Sequence, residues 1–89
     1  MAYAVRSRPG VRKALRQLDA TARKDILAVM RALADNPRPH GVKPVKGHRP
    51  YLRVRTGDYR VIYAVDDAAK VVTVAVVGNR RDIYRNLSL

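Results

Sequence analysis

Between Tyr51 and Val65 the chain reads YLRVRTGDYRVIYAV, two runs of alternating apolar and basic positions around Thr56-Gly57-Asp58. Alternation of period two marks a half-buried strand, and the tight turn between the runs makes them a hairpin. Leu52 and Val54 fall on one face, Arg53 and Arg55 on the other. After the turn Val61, Tyr63 and Val65 alternate with Arg60, Ile62 and Ala64. The hairpin is therefore expected to carry Arg53, Arg55 and Arg60 together on an exposed basic face. Such a face is, by itself, ordinary solvated surface.

The flanking pattern supplies the other elements. Ala2 to Arg6 alternates weakly and predicts a first strand, after which Ser7 can N-cap a helix with Pro9 in its first turn. Val11, Ala14, Leu15 and Leu18 recur at helical spacing, leaving Arg12, Lys13 and Arg16 on a solvated face. Asp19-Ala20-Thr21 interrupts the stripe and offers a second N-cap. Ala22, Ile26, Val29, Met30 and Leu33 then form the next stripe, which Asn36-Pro37 ends. The short break predicts an antiparallel helix pair.

Residues 37–50 hold four of the five prolines, both histidines and four bases, so a stiff loop is expected, tacked to the core by Val42 and Val45. His40 and His48 stand apart with no Cys or acid near them. They read as solvent-exposed loop residues and make a zinc site improbable. Asp66 to Ala69 is a turn. Lys70 to Val77 is apolar on both faces, which marks a central strand ended by Gly78. Asn79 to Asn86 is a basic segment, either one helical turn or an irregular tail. The sum is a single α+β domain over residues 1–89. An N-terminal strand and a helix pair pack on one face of a small, largely antiparallel sheet (β-α-α-β-β-β), followed by a short C-terminal helical turn. The opposite sheet face should be partly open.

Composition sharpens this picture at two points. Without Phe, Trp or Cys, the core of an 89-residue domain must come from Val, Leu, Ile, Ala and Tyr, and neither a disulfide framework nor a thiolate metal site is possible. The excess of 19 Lys and Arg over seven acids, all of them Asp, gives +12. That much self-repulsion points to a polyanion or an acidic protein as partner, and the predominance of Arg points to bidentate phosphate contacts. A genome rich in G+C also raises Arg content. No run is long enough to span a membrane and no signal-peptide core is present, so a cytoplasmic location is the default.

Nucleotide-binding loops, metal clusters, catalytic triads and paired carboxylates are all missing. GDYRVIYAVDD, the Val-rich strand and VGNRRDIYR together resemble the RelE/ParE toxin superfamily of bacterial toxin–antitoxin systems, and its RelE branch in particular. The likeness covers nearly the whole chain. It implies a small endoribonuclease that cleaves mRNA in the ribosomal A site, inhibits translation, uses no metal or other cofactor and is silenced by a cognate antitoxin.

Cleavage of that kind needs a base for the 2′-hydroxyl, an acid for the departing 5′-oxygen and cations for the phosphoryl oxygens. On the resemblance, Arg60 and Arg80 hold the scissile phosphate, and Tyr84 is a proton carrier or a stacking platform. Arg53 stands where the best-known branch has a catalytic lysine. Arg55 continues the basic face, and Lys43, Lys46, Arg49 and Arg81 ring the site against RNA backbone, with steep salt dependence. Two positions depart from the family pattern. Arg53 stays protonated and cannot serve as a base, and Asn79 replaces a frequent histidine. Tyr84 is then the main candidate for proton transfer and His48 the fallback. Packing of the tail is the structural alternative for Tyr84.

The resemblance also implies an extended, partly helical, acidic antitoxin that wraps the toxin, in a complex of higher order. Two rival readings share the sequence: a ParE-like inhibitor of DNA gyrase, and a nucleic-acid binder that cuts nothing.

Overall fold

The computed structural model describes residues 2–85, 87 and 89. In chain order its elements are β1 (Ala4–Ser7), α1 (Pro9–Arg16), α2 (Ala20–Ala32), β2 (Lys43–Pro44), β3 (Leu52–Thr56), β4 (Tyr59–Asp66) and β5 (Val71–Asn79). The strands form one sheet in the order β1-β5-β4-β3-β2. β1 runs parallel to β5, and the remaining pairs are antiparallel. The doubly apolar strand is flanked on both sides, as its sequence requires.

The helices cover one face. Val11, Leu15, Ile26 and Leu33 meet Val54, Val61, Tyr63, Val72, Val74 and Val77 in one buried cluster. The register of β4 against β5 shifts between Ile62 and Tyr63, pairing Ile62 with Val76 but Tyr63 with Val74. This bulge around Ala75 keeps Val72, Val74 and Val77 all on the helix side. Asp19 caps α2, its Oδ1 accepting from the Ala22 amide at 2.8 Å. Arg23 fixes the helix pair by donating to the Leu15 carbonyl in the last turn of α1 and the Leu18 carbonyl of the connection, at 2.9 and 2.7 Å.

Several sequence expectations are corrected. Ser7 does not cap α1. It is the last residue of β1, paired with Val74, and Arg8 takes the cap position without a side-chain bond. The first strand is Ala4–Ser7 rather than Ala2–Arg6, because pairing with Val71 to Val74 sets its limits. The proline-rich loop contributes a two-residue edge strand, Lys43–Pro44, paired with Arg53 and Leu52. Proline is tolerated there because an edge strand has a side that needs no donor. The C-terminal segment forms hydrogen-bonded turns through Arg85, with the Asn79 carbonyl accepting from Asp82 and Ile83 at 3.0 and 2.9 Å. Asn86 lies outside the described residues.

The loop is tied to the sheet at two polar points. The buried Tyr63 donates its hydroxyl to the Pro37 carbonyl at 2.6 Å, and burial pushes that phenol up to about 12. Asp67 receives both Nη atoms of Arg38, at 3.1 and 3.0 Å, and the Tyr3 hydroxyl at 2.7 Å. The Arg38 guanidinium, with the Tyr3 phenol second, holds the Asp67 carboxyl at about 2. The same carboxylate raises the Tyr3 phenol.

Candidate active site

The face away from the helices is not left open along its whole length. Ile62, buried on β4, is covered by Val45 from the proline-rich loop and by Ile83 from the C-terminal turn, which form a second apolar cluster. Backbone bonds hold the loop in place: His48 to the Val45 carbonyl at 3.1 Å, Tyr51 to the His48 carbonyl at 2.9 Å, and Val45 to the Tyr51 carbonyl at 2.9 Å. The two covers leave a cavity of about 730 Å³ between them. Its lining includes Lys46, His48, Arg53, Arg60, Arg80, Arg81 and Tyr84, with Pro44, Val45 and Leu87 as apolar walls.

Arg60 is the best-fixed cation of this group. It pairs with Arg55 on β3 and with Gly78 on β5. It retains only 8% exposure, so the expected exposed basic face is corrected at this position. Its Nη1 donates to the Tyr59 carbonyl at 3.1 Å and to the Gly57 carbonyl at a long 3.4 Å. Gly57 supplies the positive φ, +58°, of the two-residue Gly57-Asp58 loop that places those carbonyls. Among the described residues Arg60 belongs to none of the ion pairs. No fully buried side-chain nitrogen or oxygen lacks a hydrogen bond there either. The remaining guanidinium donors of Arg60 therefore face the cavity. A nearly buried cation without a carboxylate is costly in an empty site and is offset by an anionic ligand.

The other groups arrive from the C-terminal turn. The Arg80 amide donates to the Asp58 carbonyl at 2.7 Å, extending the ladder by one bond, and its Nε lies 3.7 Å from the exposed Asp58 carboxylate. That pair is loose and solvated, so it orients Arg80 without consuming its charge. Asn79 accepts the Arg81 amide on Oδ1 at 2.9 Å, shaping the turn in the manner of a helix cap. Ile83 takes the packing position, at 5% exposure, and leaves Tyr84 44% exposed on the cavity wall.

The structure thus brings together Arg53, Arg60, Arg80, Arg81, Tyr84 and Lys46, together with the fallback His48, which is half-buried on the cavity wall rather than a plain solvent-exposed loop residue. It does not bring in Lys43, Arg49 or Arg55. Arg55 is exposed toward the hairpin tip, Arg49 is exposed in the loop, and Lys43 is exposed on the edge strand beside Arg53. Val45, Ile83 and Asp58 form the housing of the site. Among the described residues no group of three or more His, Asp or Glu side chains is placed to hold a metal.

The family model for the ParE toxin of the type II toxin–antitoxin system parDE matches residues 5–84. The chain belongs to the RelE/ParE toxin superfamily. It is a toxin of a type II toxin–antitoxin system. Solved structures similar to the toxin include the archaeal RelE–RelB complex of Pyrococcus horikoshii OT3, at 31% identity and a TM-score of 0.79, covering 92% of this chain and 99% of that one. The RelBE2 toxin–antitoxin complex of Mycobacterium tuberculosis is 26% identical with a TM-score of 0.77, covering 92% and 95%. The intact RelBE complex of E. coli is 26% identical with a TM-score of 0.75, covering 88% and 96%. A search of the curated proteins finds no match. Among the toxin's described residues no helix is long and apolar enough to cross a membrane.

Proposed function

We propose that the toxin is an endoribonuclease that stops translation by cutting mRNA in the ribosomal A site. The observation that carries this reading is Arg60: nearly buried, without a carboxylate partner among the described residues, its remaining donors opening onto a cavity that Arg53, Arg80 and Tyr84 also line. A phosphodiester fits that arrangement. Arg60 and Arg80 bind the non-bridging oxygens of the scissile phosphate and stabilise the charge that grows there as the 2′-hydroxyl attacks phosphorus. Arg53 adds positive charge. Tyr84, well exposed on the cavity wall, removes the 2′ proton or delivers one to the leaving 5′-oxygen, and His48 on the same wall is the second group able to do so. The products are a 2′,3′-cyclic phosphate and a 5′-hydroxyl.

A partner follows from the same charge. An acidic antitoxin that wraps the chain offsets the +12, and the RelE relatives were solved with RelB bound. Co-expression with such an antitoxin should raise the yield of the toxin, in a complex of higher order.

The match of the ParE model supports one second reading, inhibition of DNA gyrase by the same fold. Brief induction followed by sequencing of mRNA 5′ ends separates the two. Ribonuclease action yields new 5′ ends at fixed positions within codons. A DNA-damage response with intact mRNA would instead establish the gyrase reading, and binding without either would leave a nucleic-acid binder.

A further inference from the structure

A second basic cavity, of about 320 Å³, lies at the start of α1 and is lined by Ser7, Arg8, Pro9, Arg12 and Arg16. Its three guanidinium groups belong to none of the ion pairs among the described residues. Arg12 and Arg16 are exposed, and the cavity contains no acid. Arg8 is held in place: its Nη2 donates to the Tyr51 hydroxyl at 2.6 Å, and its Cζ stands 5.6 Å from the centre of that ring. Tyr51 in turn bonds through its backbone to His48 and Val45, two residues of the first cavity's wall. The two cavities are thus joined through one side chain. Arg12 and Arg16 lie four residues apart on α1, about 6 Å along its axis, and Arg8 stands at its N-cap. That interval is of the order of the separation between successive phosphates of a nucleic-acid strand.

We infer that Arg8, Arg12 and Arg16 form a second RNA subsite that grips backbone phosphates several nucleotides away from the cavity holding Arg60. This rests on the ribonuclease reading for the identity of the strand. The proposal commits to RNA over an acidic peptide because the stripe is built of arginine forks at strand spacing and is tied through Tyr51 to the wall of the phosphate cavity.

The test uses the full-length toxin and two oligoribonucleotides, one that fills only the Arg60 cavity and one long enough to reach α1. Binding is measured across a range of salt, with Arg12→Gln/Arg16→Gln compared with the parent. Both positions are exposed and leave the Arg8–Tyr51 contact in place. The variant should bind the long strand about tenfold less tightly, with the slope of log K against log salt reduced by about 1.4, two contacts at 0.7 each. Its affinity for the short strand should not change. The charge-keeping Arg12→Lys/Arg16→Lys variant should retain most of the salt slope. Equal affinity of parent and Gln variant for the long strand overturns the proposal. So does an equal loss on both strands, or a loss confined to a poly-aspartate competitor. If brief induction yields no new mRNA 5′ ends while the long-strand difference persists, the ribonuclease reading fails and the subsite stands.

Discussion

The two faces of β4 are built from the same alternating run yet end in opposite states. Toward the helices, Val61 and Tyr63 are both without exposure, inside a cluster of uncharged side chains. Away from them, Arg60 and Ile62 are almost as deeply buried, but under a roof of loop and turn that leaves a cationic cavity at one end. Burial on the first side stabilises the fold through the area removed from water. Burial on the second side sets a charge where no ion pair among the described residues neutralises it. The contrast separates residues that keep the chain folded from residues whose positions make sense only with a ligand.

The largest expected effect comes from emptying the charged side. Arg60→Ala, and Arg80→Ala after it, should each reduce RNA cleavage by about 10²–10³-fold, the usual cost of one oxyanion donor, and abolish growth arrest. The fold should survive, since Arg60 makes only two bonds to local carbonyls. Tyr84→Phe should likewise end toxicity, as it removes the proton and little packing from a residue 44% exposed. Full growth arrest by Tyr84→Phe would shift the proton transfer to His48, which His48→Gln would then reveal.

Emptying the apolar side should do the reverse. Ile26 has no exposed surface and bridges α2 to the sheet, so Ile26→Ala should cost about 2–5 kcal/mol of stability by transfer and cavity terms. Thermal unfolding should show the loss, and ligand-free folded protein at low temperature should keep its RNA affinity. A weakened affinity in protein that remains folded would mean that the two faces are coupled through β4.

This contrast was only half legible in the sequence. Alternation in YLRVRTGDYRVIYAV is enough to assign Val54, Val61 and Tyr63 to one face and Arg53, Arg55 and Arg60 to the other, because side-chain direction follows from strand geometry alone. It says nothing about the roof. Val45 and Ile83 lie in stretches without periodicity, and they decide that Arg60 and Arg53 line a cavity while Arg55 stays in solvent. Ser7 shows the same limit at short range. Its cap propensity yields to pairing with Val74, a long-range demand that no local signal carries. From sequence His48 is only a fallback, because a lone loop histidine has no pattern; the three backbone bonds of residues 45–51 put it on the wall.

A smaller effect should come from the polar tie beneath the helix-side core. Tyr63→Phe removes the bond to the Pro37 carbonyl and should cost about 1–2 kcal/mol. It should also change the alkaline limb. The folded phenol lies at about 12 against an ordinary 10.0, so its contribution is whole below pH 10 and is lost as pH rises towards 12. Unfolding followed through that window should show a steeper decline for the parent than for the Phe form. Equal slopes would mean that the hydroxyl is solvated in the folded state.

The least effect is expected at Asp67, far from both cores. Its carboxyl, held at about 2 by Arg38 and then Tyr3, lies below the ordinary 3.8, so the network stabilises the fold above pH 3.8 and is lost as pH falls towards 2. Asp67→Asn keeps the shape but gives up the charge that receives the Arg38 fork. The melting temperature should drop slightly at neutral pH, and parent and variant should converge near the acid end, where the parent's carboxyl is protonated too. Both partners are half exposed, which keeps the difference small. Toxicity should be unchanged, because the network joins the start of β1, the loop at Arg38 and the end of β4 without touching the cavity. A fall in toxicity at unchanged melting temperature would place Asp67 in the functional half of the molecule and break the division between the two faces.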